Sequence, residues 1–267
     1  METKNIANGT KTDSPGLVEI MDTPRPVVSR ARDFPGGYDT EFHEHERAQF
    51  LYASSGVMTV NTRDGIWVVP PLRAVWIPAR TRHQIGMSGR VSMRTLYIDP
   101  ACCPAAPDHC CVISVSPLLR ELVLAAMDIP RLYAPDSPEE RIMTVILDQI
   151  RHMDVRPLNL AIPREQRLNR IFTALSENPG DRRTLTDWGN EVGATRRTLT
   201  RLFQAHTGMS FGQWRQQIRI LASLKQLGEN EPVTSVAMNL GYNSPSAFIS
   251  MFKKALGKTP GQYFEKG

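Results

Sequence analysis

The sequence is poor in cysteine and has no long hydrophobic run. Its four cysteines form two adjacent pairs, at 102–103 and 110–111, which does not resemble the disulfide framework of a secreted domain. The N-terminal residues METKNIANGTKTDSPG contain no apolar segment typical of a signal peptide. No stretch approaches the roughly 18 consecutive apolar residues of a membrane-spanning helix. We therefore expect a cytoplasmic protein with reduced thiols and no membrane partner.

Acidic residues are scarce in the C-terminal part of the chain. The 267 residues include 32 Lys and Arg against 27 Asp and Glu, a formal net charge of +5. Residues 1–160 carry 17 basic and 19 acidic side chains, whereas residues 161–267 carry 15 basic and 8 acidic ones. A local basic excess favours contact with phosphate or another polyanion, and the alternative is a well-solvated surface. The chain length suits two domains, each with its own core.

The N-terminal half has the residue pattern of a small antiparallel sandwich or barrel. Residues 1–16 are polar and lack periodicity, which predicts a disordered leader. Between about 27 and 99, short runs rich in Val, Ile, Trp, Tyr and Thr alternate with Gly, Pro and Asp. These runs are FLYASSG, VMTVNT, GIWVVPP, AVWIPA, HQIGMSG and VSMRTLYID. The pattern predicts a β-domain over residues 17–113.

Two helices are predicted after the strands, over residues 114–153. Ser116 and Ser137 are each followed by a proline, the arrangement of an N-cap and a first-turn residue. The second helix has a largely apolar stripe formed by Ile142, Val145, Ile146, Gln149 and Ile150. This stripe fits either domain core or a dimer face. The segment DVRPLNLAIP, residues 154–163, is predicted to be a linker, and residues 164–267 are predicted to be helical.

The helical part begins with two short helices joined by a tight turn. Thr184 and Asp187 fit a capping box, and Gly193 suits the end of the first helix. Thr195 can cap the second helix. Its inward face is formed by Leu199, Leu202 and Phe203, and its opposite face by Arg197, Thr200 and Arg201. Such a helix-turn-helix unit can place its second helix in the major groove, where exposed arginines reach guanine edges.

A second unit of the same design is predicted over residues 232–260. Gly241 supplies its turn, and Ser244 with Pro245 supplies the cap of its second helix. Its first apolar face is formed by Val233, Val236, Ala237 and Leu240. One long amphipathic helix lies between the two units and is marked by Phe211, Trp214, Ile218, Leu221 and Leu224. Two units on one stiff helix suggest binding at consecutive major grooves.

Fixed spacings over residues 185–260 carry a family resemblance. The matching positions are Leu185, Gly193, the run TLTRLF at 198–203, Gly208, Ser210, Phe211, Trp214, Arg219, Ala237, Gly241, Tyr242, Ser244, Phe248, Phe252, Lys253, Gly257, Thr259 and Pro260. They resemble the paired helix-turn-helix signature of the AraC/XylS family of bacterial transcription regulators. The resemblance implies that the first unit reads bases chiefly through Arg197, Thr200 and Arg201, while Arg196 contacts the DNA backbone or caps the helix.

In the second unit, the resemblance places Pro245, Ser246, Ala247 and Ser250 at the corresponding positions. Ser246 and Ser250 are its candidates for base contact, but their short side chains offer no bidentate donor. We therefore expect this helix to position the protein on DNA rather than to specify bases. Lys253 and Lys254 would contact the phosphate backbone, together with backbone N–H groups at the start of the helix.

The segment FHEHERAQFLYASSG resembles the first motif of the cupin barrel. Gly37, His43, His45 and Gly56 match that motif, and Gln49 stands where it has glutamate. The second motif is matched by Pro78 and His83, with Leu72 and Arg80 in place of its two glycines. The resemblance implies that alternate residues of HEH converge with the histidine of the second motif inside a barrel.

Two interpretations of this histidine set, His43, His45 and His83, stay open at the sequence level. As neutral imidazoles they can bind one divalent metal such as zinc, nickel or iron, although the amide of Gln49 is a poorer ligand than a carboxylate. In the other interpretation the site holds no metal, and the histidines line an effector pocket or satisfy hydrogen bonds at strand ends. No cofactor is certain from the sequence.

The runs RAQFLYASSGVMTV, WVVPPLRAVWIPA and MRTLYIDP extend the resemblance to the cupin-bearing, NimR-like subgroup of AraC-type regulators. The implied fold is α+β multidomain, with an N-terminal cupin-type β-barrel and flanking helices followed by an all-α paired helix-turn-helix domain. The implied function is a transcription regulator, not an enzyme, that senses a small effector or metal and binds double-stranded operator DNA. A homodimer and a contact with RNA polymerase stay open.

Two other functions compete with this interpretation. The first is a cupin metalloenzyme, a dioxygenase or isomerase, with an accessory helical domain. The second is a helical protein-interaction module without a role on DNA. Separately, the four cysteines Cys102, Cys103, Cys110 and Cys111, with His109 between the pairs, are candidates for thiol sensing or soft-metal binding. The alternative is that these adjacent cysteines simply pack.

Overall fold

Two long strands are the centre of the N-terminal half. The computed structural model describes residues 17–151, 155–156 and 158–264, so the leader predicted over 1–16 lies outside the described residues. The strands are β1 (Val27–Phe34), β2 (Ala48–Thr62), β3 (Gly65–Val69), β4 (Arg73–Ile77), β5 (His83–Ile98), β6 (Cys111–Ser114), β7 (Val155–Arg156) and β8 (Asn159–Ala161). They form one antiparallel sheet in the order β1-β5-β2-β4-β6-β7, with β3 paired to β2 and β8.

Strands β2 and β5 each join two of the runs that the sequence separates. The two strands pair over almost their whole length, and their register shifts between Ala53 and Val57. Gly56 and Gly89 lie at this irregularity with φ angles of +81° and +70°. A glycine with positive φ lets a strand bulge and bend without ending it. The glycines therefore mark bulges in continuous strands.

The sheet buries both of its faces because side chains alternate along each strand. On β2, Leu51 and Ala53 belong to an inner cluster that also contains Val75, Ile77 and Met93. Phe50 and Tyr52 point the other way, into an outer cluster with Trp76 and Leu96. Two helices, α2 (Pro117–Ala126) and α3 (Pro138–Arg151), cover this outer face. Both helices lie within residues 114–153, where the sequence predicts helix. In the apolar stripe of α3, Ile146 and Ile150 are fully buried, Ile142 and Gln149 are partly buried, and Val145 is exposed, so the stripe is only in part domain core.

The segment predicted as a linker contains two short strands. β7 pairs with β6, and β8 pairs with β3. Leu158 and Leu160 are buried in the inner cluster. Proline disfavours a helix but is compatible with an extended backbone, and an extended backbone can pair at a sheet edge. Strand structure thus continues beyond residue 113.

The C-terminal part is helical, as the sequence predicts. Together with the short N-terminal helix α1 (Leu17–Met21), the remaining helices are α4 (Gln166–Glu177), α5 (Leu185–Val192), α6 (Arg196–Thr207), α7 (Phe211–Gly228), α8 (Val233–Asn239), α9 (Pro245–Leu256) and α10 (Pro260–Phe264). Within the described residues, no helix is both long and apolar enough to span a membrane.

Helix α7 is buried on two sides. One side carries the predicted apolar stripe, including Trp214 and Ile218, and packs among the other C-terminal helices. The helix also lies against β2, β3, β5 and β8, and its last residue, Gly228, approaches Val57 and Ser88. The inner cluster of the sheet and the core of the helical domain are therefore continuous through α7.

The strand glycine Gly56 and the turn glycine Gly37 allow a direct test of the bulge. Gly37 and Gly56 both have positive φ, but a Cβ on Gly56 would overlap the carbonyl oxygen of Arg90, whereas a Cβ on Gly37 has no described atom within 4 Å. We expect Gly37→Ala to lower the free energy of unfolding by about 1 kcal/mol, from the backbone conformation alone. For Gly56→Ala we expect the free energy of unfolding to fall by about 2–4 kcal/mol, because the overlap with Arg90 adds to the cost of the backbone conformation. Urea unfolding of both variants measures the difference, and equal losses would contradict the bulge geometry.

Candidate functional site

Three histidines lie close together where β5 begins. His43 and His45 lie in the segment before β2, and His83 is the first residue of β5. The backbones of His43 and His83 exchange two hydrogen bonds, of 2.9 and 2.8 Å. One ring nitrogen of each of the three histidines lies within 4.8 Å of the others. The convergence expected from the two sequence motifs is therefore present in the structure.

Each of the three imidazole rings is held by a backbone carbonyl group. The Nδ1 atoms of His43, His45 and His83 lie 2.9, 2.6 and 2.7 Å from the carbonyl oxygens of Glu41, Arg47 and Thr81. A carbonyl oxygen only accepts, so each Nδ1 carries the proton and donates it. In a neutral ring this leaves Nε2 with a free lone pair. The backbone thus fixes the same tautomer three times.

Burial keeps two of these rings neutral. His83 is fully buried and His45 nearly so. Burial lowers the pKa of His83 to about 3, and the nearby His43 and His45 act in the same direction. Burial also lowers the pKa of His45, against opposing hydrogen bonds to Gln49 and Arg47. The Nε2 atom of His83 is buried without a hydrogen-bond partner among the described residues.

A chain of hydrogen bonds orients Gln49 beside the histidines. Thr95 Oγ1 lies 3.3 Å from the carbonyl oxygen of Phe50, to which it donates, and 3.0 Å from Gln49 Nε2, from which it accepts. Gln49 Oε1 then faces His45 Nε2 at 3.1 Å. With the His45 proton on Nδ1, both facing atoms are acceptors. Two such lone pairs repel each other unless a proton or a cation lies between them.

The backbone keeps the shape of the cupin motif where the sequence departs from it. Leu72 and Arg80 stand at the two positions where the motif has glycine, and their φ angles are +64° and +60°. The N–H of Arg80 donates to the carbonyl oxygen of His45 at 2.8 Å, and its guanidinium pairs with Glu46 at 2.7 Å. These contacts hold a conformation that costs an ordinary residue about 1–2 kcal/mol.

The four cysteines lie apart from the histidine cluster. Cys103, Cys110 and Cys111 are buried and Cys102 is partly buried, all as free thiols. Burial raises the pKa of each of the four thiols, to about 12 for Cys110 and about 11 for Cys111. Among the described residues, the only three His, Cys, Asp or Glu side chains placed to hold one metal are the three histidines. His109 is exposed and pairs with Asp108.

This burial predicts slow thiol chemistry. Because the thiolate is the reactive form, we expect Cys110 and Cys111 in the folded protein to react with an aromatic disulfide reagent at pH 8 at least about 100-fold more slowly than in the unfolded chain. Cys102, the most accessible of the four, should react first. Stopped-flow thiol titration of the native protein, with Cys102→Ala as the comparison, measures this. Fast reaction of two or more thiols would revive thiol sensing as a role for these pairs.

The first helix pair has the predicted caps. The Thr184 hydroxyl accepts from the Asp187 N–H, while the Asp187 carboxylate accepts from the Thr184 N–H, which closes a capping box. Gly193 ends α5 with φ +68°, and the Thr195 side chain caps α6. Leu199 and Phe203 of α6 are fully buried. This packing leaves the opposite face of α6 exposed to solvent.

The exposed face of α6 contains the residues proposed for base contact. Arg196, Arg197, Thr200 and Arg201 are exposed, and they line a shallow surface depression together with Gln204 and Ala205. Gln204 is an addition to the residues that the sequence predicts for this face. The three-to-four-residue spacing that selects Arg197 and Arg201 extends to Gln204 and would have identified it.

The second helix pair, α8 and α9, repeats this arrangement with different side chains. Gly241 forms the turn with φ +76°, and the Ser244 hydroxyl caps α9 by accepting from the Ala247 N–H. Phe248 and Phe252 anchor α9 in the core. The exposed positions of α9 include Ser246, Ser250, Lys253 and Lys254, as the sequence predicts.

Arg219 of α7 joins the loop before α5 to the turn between α8 and α9. Its Nε donates to the carbonyl oxygen of Pro179 at 3.0 Å, and its Nη2 donates to that of Asp181 at 3.2 Å. Its guanidinium also lies over the ring of Tyr242, 5.5 Å from the centroid. A Cβ on Gly241 would lie 2.5 Å from the carbonyl oxygen of Gly180. This close packing fixes the spacing between the two pairs.

Comparisons with known proteins agree with this two-domain arrangement. Residues 27–132 match the family described as AraC-like ligand binding domain, and residues 188–266 match a helix-turn-helix domain. The chain is 32% identical over 224 residues to the HTH-type transcriptional regulator NimR of Escherichia coli (strain K12), covering 84% of this chain and 82% of that protein. It is 28% identical to the HTH-type transcriptional regulator RipA of Corynebacterium glutamicum, covering 38% of this chain and 31% of that protein.

A ligand-binding sheet domain followed by a helix-turn-helix domain defines a DNA-binding transcription regulator. The chain belongs to the AraC family of these regulators. The resemblance predicted from the sequence is confirmed in both halves. Among solved structures, ToxT from Vibrio cholerae matches 90% of this chain and 98% of that chain, at 10% sequence identity and a TM-score of 0.38.

Proposed function

We propose that this regulator senses a divalent metal, or a small effector, at the histidine cluster of the sheet domain. It would bind operator DNA through two helix-turn-helix units, α5–α6 and α8–α9. The observation that carries the sensing proposal is the facing pair of acceptors, His45 Nε2 and Gln49 Oε1, 3.1 Å apart. A cation bound between these two atoms would relieve the repulsion.

The donor set suits a borderline metal. Neutral imidazole nitrogen is a ligand for zinc, nickel and iron, and four neutral donors leave the ion its full charge. Ligand atoms that share a metal at about 2.1 Å lie roughly 3 Å apart, which agrees with the His45–Gln49 separation of 3.1 Å. The hydrogen bonds from Nδ1 to carbonyl groups, and from Gln49 to Thr95, would orient the four ligands.

The two helix pairs support a division of labour on DNA. The exposed face of α6 presents Arg197 and Arg201, whose guanidinium groups can donate two parallel hydrogen bonds to a guanine. The exposed face of α9 presents serines near its start and lysines near its end. Short hydroxyl groups and ammonium groups suit contacts with the phosphate backbone. We infer that α6 recognises the DNA sequence and that α9 fixes the position of the protein on the DNA backbone.

The rival function, a cupin enzyme with an accessory helical domain, has less support. The chain matches an AraC-like ligand binding domain over the sheet, and the relatives named above are transcriptional regulators. In addition, the donor set contains Gln49 in place of a carboxylate ligand. The site therefore fits recognition of an ion or effector better than turnover of a substrate.

Metal analysis of purified variants tests the sensing proposal. We expect one bound metal per chain for the wild type and for His109→Ala, which removes an exposed histidine, and none for His83→Ala. Thr95→Val keeps the side-chain shape but loses the hydroxyl group that orients Gln49, so it should weaken metal binding about 10–100-fold. In Gln49→Glu the new carboxylate is an acceptor and a good metal ligand, so this variant should retain the metal. Elemental analysis after dialysis against zinc, nickel and iron measures these outcomes, and a metal-free wild type would leave only the organic-effector form of the proposal.

DNA-binding measurements test the division of labour. We expect Arg201→Ala to weaken operator binding by about 1–3 kcal/mol and to relax base preference, since one bidentate contact discriminates by that amount. Lys253→Ala should weaken operator and random DNA alike and reduce the slope of log K against log salt by about one. Arg63→Ala, an exposed arginine of the sheet domain, controls for net charge. Uniform weakening by both Arg201→Ala and Lys253→Ala would contradict the assignment.

A further inference from the structure

The histidine cluster lies at one end of a two-stranded ribbon. Residues 37–43 run antiparallel to residues 83–89, and we call these two segments the histidine ribbon. The Gly37 N–H donates to Met87, the Met87 N–H to Tyr38 and the Thr40 N–H to Ile85, each at 2.9 Å. The His43–His83 bridge closes the ribbon at the cluster end. A shift of either histidine is therefore passed along a hydrogen-bonded ladder towards Gly89.

The other end of the ribbon touches the end of α7 through glycine. A Cβ on Gly89 would overlap the carbonyl oxygen of Gly228. A Cβ on Gly228 would lie 2.5 Å from Cγ2 of Val57 and 3.4 Å from the carbonyl oxygen of Ser88. Only residues without a side chain permit this approach of two backbones. We call the contact of Gly89 and Val57 with Gly228 the glycine clamp.

A charged contact supports the clamp. Lys225 lies one turn before the end of α7 and is partly buried. Burial lowers the pKa of Lys225, while the charges of Glu229 and Asp39 act against this. Asp39 belongs to the histidine ribbon, and its carboxylate lies over Gly86. The ribbon therefore meets α7 through opposite charge as well as through close packing.

Helix α7 connects the clamp to both helix pairs. Trp214 and Ile218 pack in the core of the helical domain, and Arg219 contacts the loop before α5 and Tyr242 in the turn between α8 and α9. A helix transmits displacement as a stiff element, and tightly packed interfaces change between discrete arrangements. A change in how α7 sits on the ribbon therefore moves both pairs together.

We propose that the glycine clamp is the mechanical link through which the histidine cluster controls the DNA-binding domain. This inference rests on the proposed function of the cluster as a sensor. A ligand bound at the cluster would fix the position of the two ribbon segments relative to each other. The clamp would then fix the position of α7 against the ribbon. The position of α7 with ligand at the cluster then differs from its position without ligand. Operator affinity changes to the extent that these two positions place the DNA-binding helices differently on DNA.

One substitution separates the clamp from the rest of the molecule. Gly228→Ala adds a single methyl group that must push α7 away from Val57. Alanine is the better helix former, so the change does not weaken α7 itself. Gly212→Ala makes the same change in the first turn of the same helix, where a Cβ has no described atom within 4 Å. The double variant Gly228→Ala/Val57→Ala removes Cγ2 of Val57, the nearest overlapping atom, and leaves only its Cβ at 2.9 Å, so the helix should return most of the way to its wild-type position.

Amide hydrogen exchange on the full chain tests the clamp without any ligand. We expect residues 85–91 and 222–229 to exchange at least about tenfold faster in Gly228→Ala than in the wild type. Gly212→Ala should match the wild type, and the double variant should return towards it. Wild-type exchange in Gly228→Ala would overturn the clamp, as would faster exchange that the double variant fails to reverse.

The response to Zn²⁺ tests the coupling. Gly228→Ala should bind Zn²⁺ with the wild-type stoichiometry and bind operator DNA, but its operator affinity should no longer change when Zn²⁺ is added. Gly212→Ala should keep the wild-type response. A full response in Gly228→Ala would overturn the link. Failure of the proposed function gives a different result: the wild type and Gly212→Ala then do not bind Zn²⁺, or their operator affinity does not change when Zn²⁺ is added. In that case hydrogen exchange still decides whether the clamp holds α7.

Discussion

The burial of α7 on two sides is the constraint on which the rest of the structure depends. Trp214 and Ile218 pack in the core of the helical domain, while the end of the same helix lies against β2 and β5 at Gly228. Removing either partner would expose a row of apolar side chains to water, at about 25 cal/mol per Å². Both helix pairs are consequently built on an element that the sheet domain helps to hold.

The histidine cluster places a second constraint on the fold, of an electrostatic kind. Buried polar nitrogen is expensive unless it has a partner, and His83 Nε2 has no hydrogen-bond partner among the described residues. The fixed tautomers and the oriented amide of Gln49 gather several lone pairs at one point. A cation or a hydrogen-bond donor placed at this point would lower the free energy of the site, which supports the proposal that the cluster binds a ligand.

Much of this structure is readable from local sequence signals. The capping box at Thr184 and Asp187, the turn glycine Gly193 and the cap at Ser244 all act over a few residues, so their outcome depends little on the rest of the fold. The histidine convergence followed from the family motif. The continuity of β2 and β5, the strands inside the predicted linker and the second buried side of α7 were missed. Each depends on contacts distant in sequence, which residue periodicity does not encode.

The central claim is that occupancy of the histidine cluster changes how the protein binds DNA. Fluorescence anisotropy with an operator duplex, identified by genome-wide footprinting, measures this as Zn²⁺ is titrated into the full chain and into the variant His43→Ala/His45→Ala/His83→Ala. The account predicts an operator affinity that changes about 5–150-fold for the wild type, the usual range of allosteric coupling, and stays constant for the variant, whose metal-free affinity equals that of the wild type. An equal response of both proteins to Zn²⁺ would contradict the claim.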